Sequence, residues 1–262
     1  MHIYSACAVG VGAVLTAPVT DAESWAASCL PIIGGHSACE ANNKAWPAGD
    51  PVVSFSMART ELRGTQTGPN EYTTTVRKTV MGLNILNRVT GNLDATLTFK
   101  YFAKPGRVDD EVEVSITPAA PYAGLTLHGV SFSPASITFK KELYEGAGKN
   151  FKKFRGDINT LRPGAKHLKH AHGEPGGHNH GLIMTALAEP EASLLYNNPD
   201  HGKVDVPGLG SVYFGEWWAE PYRQSFTLLR VKMKDAQDRL NPATKFSGQI
   251  VIDEEENGRD VP

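Results

Sequence analysis

The chain has 262 residues, 40% hydrophobic and 21% charged, with a formal net charge of −2. That is an ordinary globular composition, long enough for one large β domain or two small ones. A near-neutral balance with scattered Lys and Arg excludes a basic nucleic-acid surface, and 26 Gly with 17 Pro favour many turns.

From Ala6 to Val19 the chain is apolar or small and carries no charge. The run is too short for a membrane-spanning helix. Its length matches the hydrophobic region of a secretory signal, with Ala17 or Ala22 preceding a cleavage point, although only His2 stands where basic residues usually precede such a run. Residues 1–22 are therefore read as a signal or leader segment, the alternative being a buried or disordered leader. Removing Cys7 with it leaves Cys29 and Cys39, separated by a loop containing Pro31, Gly34 and Gly35. A Cys29–Cys39 disulfide, and with it an oxidising compartment, is one expectation; two reduced thiols are the other.

Residues 23–51 read as an irregular N-terminal segment that ends in the coil EANNKAWPAGDP. From residue 52 to 262 a single β-rich domain is expected. Val53, Phe55 and Met57 share a parity, as do Tyr72, Thr74, Val76 and Val80, then Ala95, Leu97, Phe99 and Tyr101, then Val112, Val114 and Ile116. Such alternation, rich in β-branched residues, predicts half-buried antiparallel strands. In LTLHGVSFSP the apolar parity switches at His128-Gly129, which predicts a β-bulge there. Residues 141–162 are charged and glycine-interrupted, so at most a short irregular helix forms. Strand patterns return in LIMTALA, ASLLYN, KVDVP, SVYFGEWW, QSFTLLRVKM and FSGQIVI, separated by NNPDHG, PGLG and NPAT. Roughly ten to twelve short strands with regular turns predict an all-β, antiparallel sandwich or barrel-like fold with long loops.

The segments GLNILNRVT (82–90), HGKVDVPGLGSVYFGEWW (201–218) and FTLLRVKM (226–233), with the ending ENGRDVP, resemble bacterial exported β proteins of the choice-of-anchor type, in particular choice-of-anchor P. The likeness spans the chain after residue 71. It implies an exported, surface-associated protein and supplies no catalytic residue.

The stretch GAKHLKHAHGEPGGHNHG, residues 164–181, holds five of the nine histidines. Neutral imidazole is the commonest ligand for borderline transition metals, and zinc needs three or four nitrogens at about 2.0–2.1 Å. His170 with His172, and His178 with His180, form two H-x-H pairs. If extended, each pair shares a face, and Gly173, Pro175, Gly176 and Gly177 between them permit a hairpin that converges four nitrogens. His167 and Glu174 are spare ligands. Copper(II), zinc and nickel are all chemically compatible. Against this, a His-rich, glycine-rich tract is also the composition of a mobile polar loop, whose ordering costs roughly 1–2 kcal/mol per residue. There is no H-E-x-x-H, G-x-S-x-G, P-loop or dinucleotide fingerprint. Trp217 and Trp218, beside Glu216, Tyr213 and Tyr222, form a candidate platform for a carbohydrate or partner. In a strand they face opposite ways, so one belongs to the core. The acidic run Asp253 to Glu256 is read as solvated rather than as a calcium site.

These observations favour a non-enzymatic β-sandwich protein, secreted, periplasmic or on the cell surface, with a His-rich loop that captures a transition metal. Two other readings stand beside it. One is a metal-dependent β-barrel enzyme using the same histidines around an open coordination position. The other is a carbohydrate- or partner-binding module at Trp217 and Trp218.

Overall fold

The computed structural model describes residues 2–17, 20–102, 111–117, 122, 124–127, 130–131, 168–172, 181–185, 203–220, 223–233, 247–256 and 259–260. Every regular element among them is a strand, and none of the described residues forms a helix long and apolar enough to cross a membrane. In chain order the strands begin with β1 (His2–Ile3), β2 (Ala6–Ala17), β3 (Asp21–Trp25), β4 (Ser28–Cys29), β5 (Gly35–Trp46), β6 (Val53–Gly68), β7 (Glu71–Ile85), β8 (Val89–Phe102) and β9 (Glu111–Thr117). They continue with β10 (Leu125–Leu127), β11 (Val130–Ser131), β12 (Leu168–His172), β13 (Gly181–Thr185), β14 (Lys203–Val206), β15 (Gly210–Glu220), β16 (Arg223–Met233), β17 (Ser247–Glu256) and β18 (Arg259–Asp260).

Two antiparallel sheets face each other as a β-sandwich. The first has seven strands in the order β11-β10-β8-β7-β6-β5, with β9 also paired to β8. The second has nine in the order β12-β13-β15-β16-β17-β2-β3, with β14 on β15 and β4 on β2. β1 and β18 pair separately.

The parity of the sequence becomes the core. In β7, Thr74, Val76, Lys78 and Val80 are buried while Arg77 and Met81 are exposed, and in β8 the inward set is Leu93, Ala95, Leu97, Phe99 and Tyr101. Register aligns these rows: Leu62 lies opposite Val76, and Val76 opposite Leu97. The facing sheet contributes Val11, Ala13, Phe214, Phe226, Val231 and Ile250 to the same cluster. Fully burying one such large apolar side chain stabilises by about 1.5–3 kcal/mol, so paired rows outweigh the weak intrinsic preference of Thr-rich strands. β7 changes phase between Val80 and Leu83, where the register with β8 shifts. Gly82 sits there at φ +60, and a Cβ on it would meet Ser56 Oγ at 2.9 Å, so both conformation and space select glycine.

Polar groups tie the layers together. The Tyr122 hydroxyl donates to the Leu228 carbonyl at 2.6 Å, and its ring meets Phe214 edge-on at 5.1 Å. A wholly buried phenol needs such a partner. The buried Thr60 hydroxyl donates to the Ala26 carbonyl at 2.8 Å.

Several expectations are corrected. The apolar run read as a leader is β2, a twelve-residue strand paired with β17 on one side and with β3 and β4 on the other. Its lack of charge is the lack of charge of a core strand: Ala6, Ala8, Val11, Ala13 and Leu15 are all buried. Residues 23–51 are not irregular, because they include β4 and the twelve-residue β5, an edge strand of the first sheet. The disulfide joins Cys7 to Cys29, not Cys29 to Cys39. Cys7 and Cys29 stand directly opposite on β2 and β4, whereas Cys39 lies opposite Thr60 in the other sheet and is free. The parity switch near His128 reflects a reversal rather than a bulge within one strand, since Leu127 pairs antiparallel with Val130. Asp253 to Glu256 belong to the ladder of β17, between β16 and β2. The segments 141–162 and ASLLYN lie outside the described residues.

Candidate functional site

The His-rich stretch is bracketed by the hairpin of β12 and β13, which ends the nine-stranded sheet. Leu168 pairs with Met184, Lys169 with Ile183, Ala171 with Leu182 and His172 with Gly181. The last rung therefore brings His172 opposite the residue that follows His180. Between Lys169 and Ala171 the register slips by one, with His170 the extra residue. A one-residue shift of this kind is a β-bulge in the backbone ladder. His170 and His172 thus occupy β12, while His167, His178, His180 and Glu174 lie outside the described residues.

Register also joins two features that are remote in sequence. β13 pairs with β15, with Met184 opposite Trp217 and Ile183 opposite Trp218. On its other side Trp217 is opposite the buried Phe226, and Trp218 opposite Ser225. Strands in a sheet lie about 4.8 Å apart, so the backbone of β15 at the Trp pair is only two strand spacings from β12. His170 and His172 thus lie at the same end of the sheet as the tryptophan pair, with β13 between them.

Elsewhere the described side chains offer ion pairs on the outer face of the first sheet. Arg77 donates to Asp94 through Nε at 3.3 Å and Nη2 at 3.2 Å, and the Thr79 hydroxyl donates to the same carboxylate at 2.9 Å. The hydrogen bonds that Arg77 donates to Asp94, then the charge of that carboxylate, raise the Arg77 pKa above the ordinary guanidinium value. His36 Nε2 lies 3.2 Å from Glu61 Oε1. These groups are exposed, and such pairs are worth little in free energy. Among the described residues no group of three or more His, Cys, Asp or Glu could hold a metal ion. One residue that the sequence reading passed over is Lys78, which is fully buried. Its signal was its parity, in step with Thr74, Val76 and Val80.

No curated protein and no solved structure matches the chain. A family model described as a domain of unknown function, DUF8256, matches residues 2–220, which take in β2, the whole His-rich stretch and the tryptophan pair. With more than four-fifths of its length so matched, the chain belongs to the DUF8256 family.

Proposed function

We propose that this protein is an exported, non-enzymatic β-sandwich module that captures a transition-metal ion, copper(II), zinc or nickel, at the tip of the β12–β13 hairpin. The observation that carries this reading is the rung between His172 and Gly181. It closes the hairpin one position from His180, so the two ends of the H-x-H arrangement start as neighbours. A hairpin whose strands are already paired up to that rung lowers the cost of bringing its ends together, since ordering an unpaired residue costs roughly 1–2 kcal/mol. His170, His172, His178 and His180 would be the ligands, with His167 in reserve. The Cys7–Cys29 disulfide supports an oxidising compartment, secreted, periplasmic or on a cell surface, in line with the choice-of-anchor resemblance. A capture role needs only convergent nitrogens, whereas the metal-enzyme alternative also needs an open coordination position and an acid or base beside it.

Calorimetric titration with copper(II), zinc and nickel tests the reading, on wild type and on a variant carrying His170→Ala, His172→Ala, His178→Ala and His180→Ala. Expected is binding tighter than micromolar in wild type and its loss in the variant. Affinity should fall as pH drops through about 6.5, because protons compete for the imidazole lone pairs. A millimolar wild-type constant, worth only about 4 kcal/mol, would leave an unstructured tract as the reading.

The pairing of β12, β13 and β15 favours a second reading, a carbohydrate or partner bound at Trp217 and Trp218. A variant carrying Trp217→Ala and Trp218→Ala should then lose retention on a glycan array that the quadruple histidine variant retains, and identical arrays for both variants would remove it.

A further inference from the structure

The Cys7–Cys29 bond joins directly opposed residues of β2 and β4, and both cysteines are exposed on the outer side of the sheet. The ladder it crosses is very short: only Cys7 with Cys29 and Ala8 with Ser28 pair between these strands. Beyond it, Ser28 and Leu30 are buried and Gly34 packs against Tyr4, while three hydrogen bonds tie the segment to its neighbours. Leu30 N–H donates to the Ala6 carbonyl at 2.8 Å, Tyr4 N–H donates to the Ile32 carbonyl at 3.0 Å, and the Ser28 and Ser37 hydroxyls share a hydrogen bond at 2.6 Å. The turn that follows presents Ile32 and Ile33 to solvent, 65% and 74% exposed. β2 itself is held differently. Its other edge carries a nine-pair ladder to β17, and its inward side chains are core.

We propose that this disulfide is a redox clasp, opened in the folded protein by a dithiol reductant, and that opening it releases residues 28–34 from β2 while the sandwich stays intact. A thiolate reaches an exposed sulfur without unfolding. One thiolate of the dithiol attacks Sγ of Cys7 or Cys29, the S–S bond breaks, and a mixed disulfide forms as the other cysteine leaves as a thiolate. The second thiol of the reductant then displaces the remaining cysteine. Two electrons pass to the protein, the reductant becomes a cyclic disulfide, and the two protons it loses end on Cys7 and Cys29. The released segment uncovers the edge of β2 around Ala6 and Ala8, a row of backbone groups able to accept another strand.

The full chain is treated with dithiothreitol at neutral pH, alkylated and peptide-mapped, and amide hydrogen exchange is followed in the same samples. Expected without reductant is no alkylation of Cys7 or Cys29. With it, both are alkylated together and exchange in peptides covering 28–34 rises at least tenfold, while peptides of β7 are unchanged. The variant Cys7→Ser with Cys29→Ser should show the reduced exchange pattern permanently, and Cys39→Ser should respond as wild type does. Four results would overturn the proposal: alkylation of Cys7 and Cys29 before reduction, reduction only in denaturant, unchanged exchange at 28–34, or faster exchange in β7 as well.

Discussion

Strands β7 and β2 both lie inside their sheets and both supply a row of the core, yet they reach burial by opposite means. β7 alternates strictly over most of its length, with Thr74, Val76, Lys78 and Val80 turned inward and Thr75, Arg77 and Thr79 outward. β2 is buried at four consecutive positions, Gly10 to Ala13. There the side chains are small and the neighbours come close. A Cβ on Gly10 would stand 2.8 Å from the Ala26 Cβ and 3.3 Å from the Ala58 Cβ, and one on Gly12 would stand 3.1 Å from Val251 Cγ2. The inward parity also changes along β2, from Ala6 and Ala8 to Val11, Ala13 and Leu15, across a register shift against β17. One strand is specified by volume on one face, the other by the absence of volume on both.

The most severe way to break the comparison is to remove β2. A chain starting after Ala17 or Ala22 loses six core residues, Tyr4 and the five of β2, and leaves β17 without a partner along one edge. The loss should exceed the whole stability of a domain, about 5–15 kcal/mol, so no cooperative melt is expected by near-ultraviolet circular dichroism. A truncated chain melting at the full-length temperature would return residues 1–22 to a dispensable leader.

Next in size is Leu83→Ala in β7, which empties a site only 1% exposed and should destabilise by about 2–5 kcal/mol in urea titration. Gly10→Val in β2 acts by overfilling and should destabilise by about 1–3 kcal/mol. Adding Ala26→Gly should recover part of that loss, because the clash is pairwise. If the double variant is no more stable than Gly10→Val alone, close packing is not what buries β2. The smallest effect lies on the outer face of β7. Replacing Arg77 or Asp94 by Ala should change stability by only about 0.2–1 kcal/mol, less in high salt, since both partners are about half exposed.

What could be read from residues alone follows from the same contrast. The inward rows of β7 and β8 stand in the sequence because alternating branched and polar residues have few other uses. β2 was hidden because an uncharged run of Ala, Gly and Val has the composition of a signal as much as of a tightly packed strand. β5 was hidden because an edge strand buries little: only Ser37, Cys39, Ala41 and Trp46 are turned away from solvent, so GHSACEANNKAW shows almost no hydrophobic pattern. For the candidate site, residue types named the histidines and tryptophans. Strand register added what no local pattern holds, the shift at His170 and the adjacency of β12, β13 and β15. The disulfide was misassigned because proximity in sequence is a poor guide when the true partner sits on a neighbouring strand.

The pairing of β2 with β17 also sets an order of events during synthesis. β5 to β8 form a meander in which each strand finds its partner in the strand just made, so the first sheet can close as the chain emerges. β2 is made before any of them, but its longer ladder is with a strand separated from it by most of the chain. Until β17 arrives, the apolar row of Ala6, Ala8, Val11, Ala13 and Leu15 has half its sheet missing, which is the condition under which nascent β proteins aggregate or recruit chaperones. The second sheet is closed last by the strand that was waiting longest.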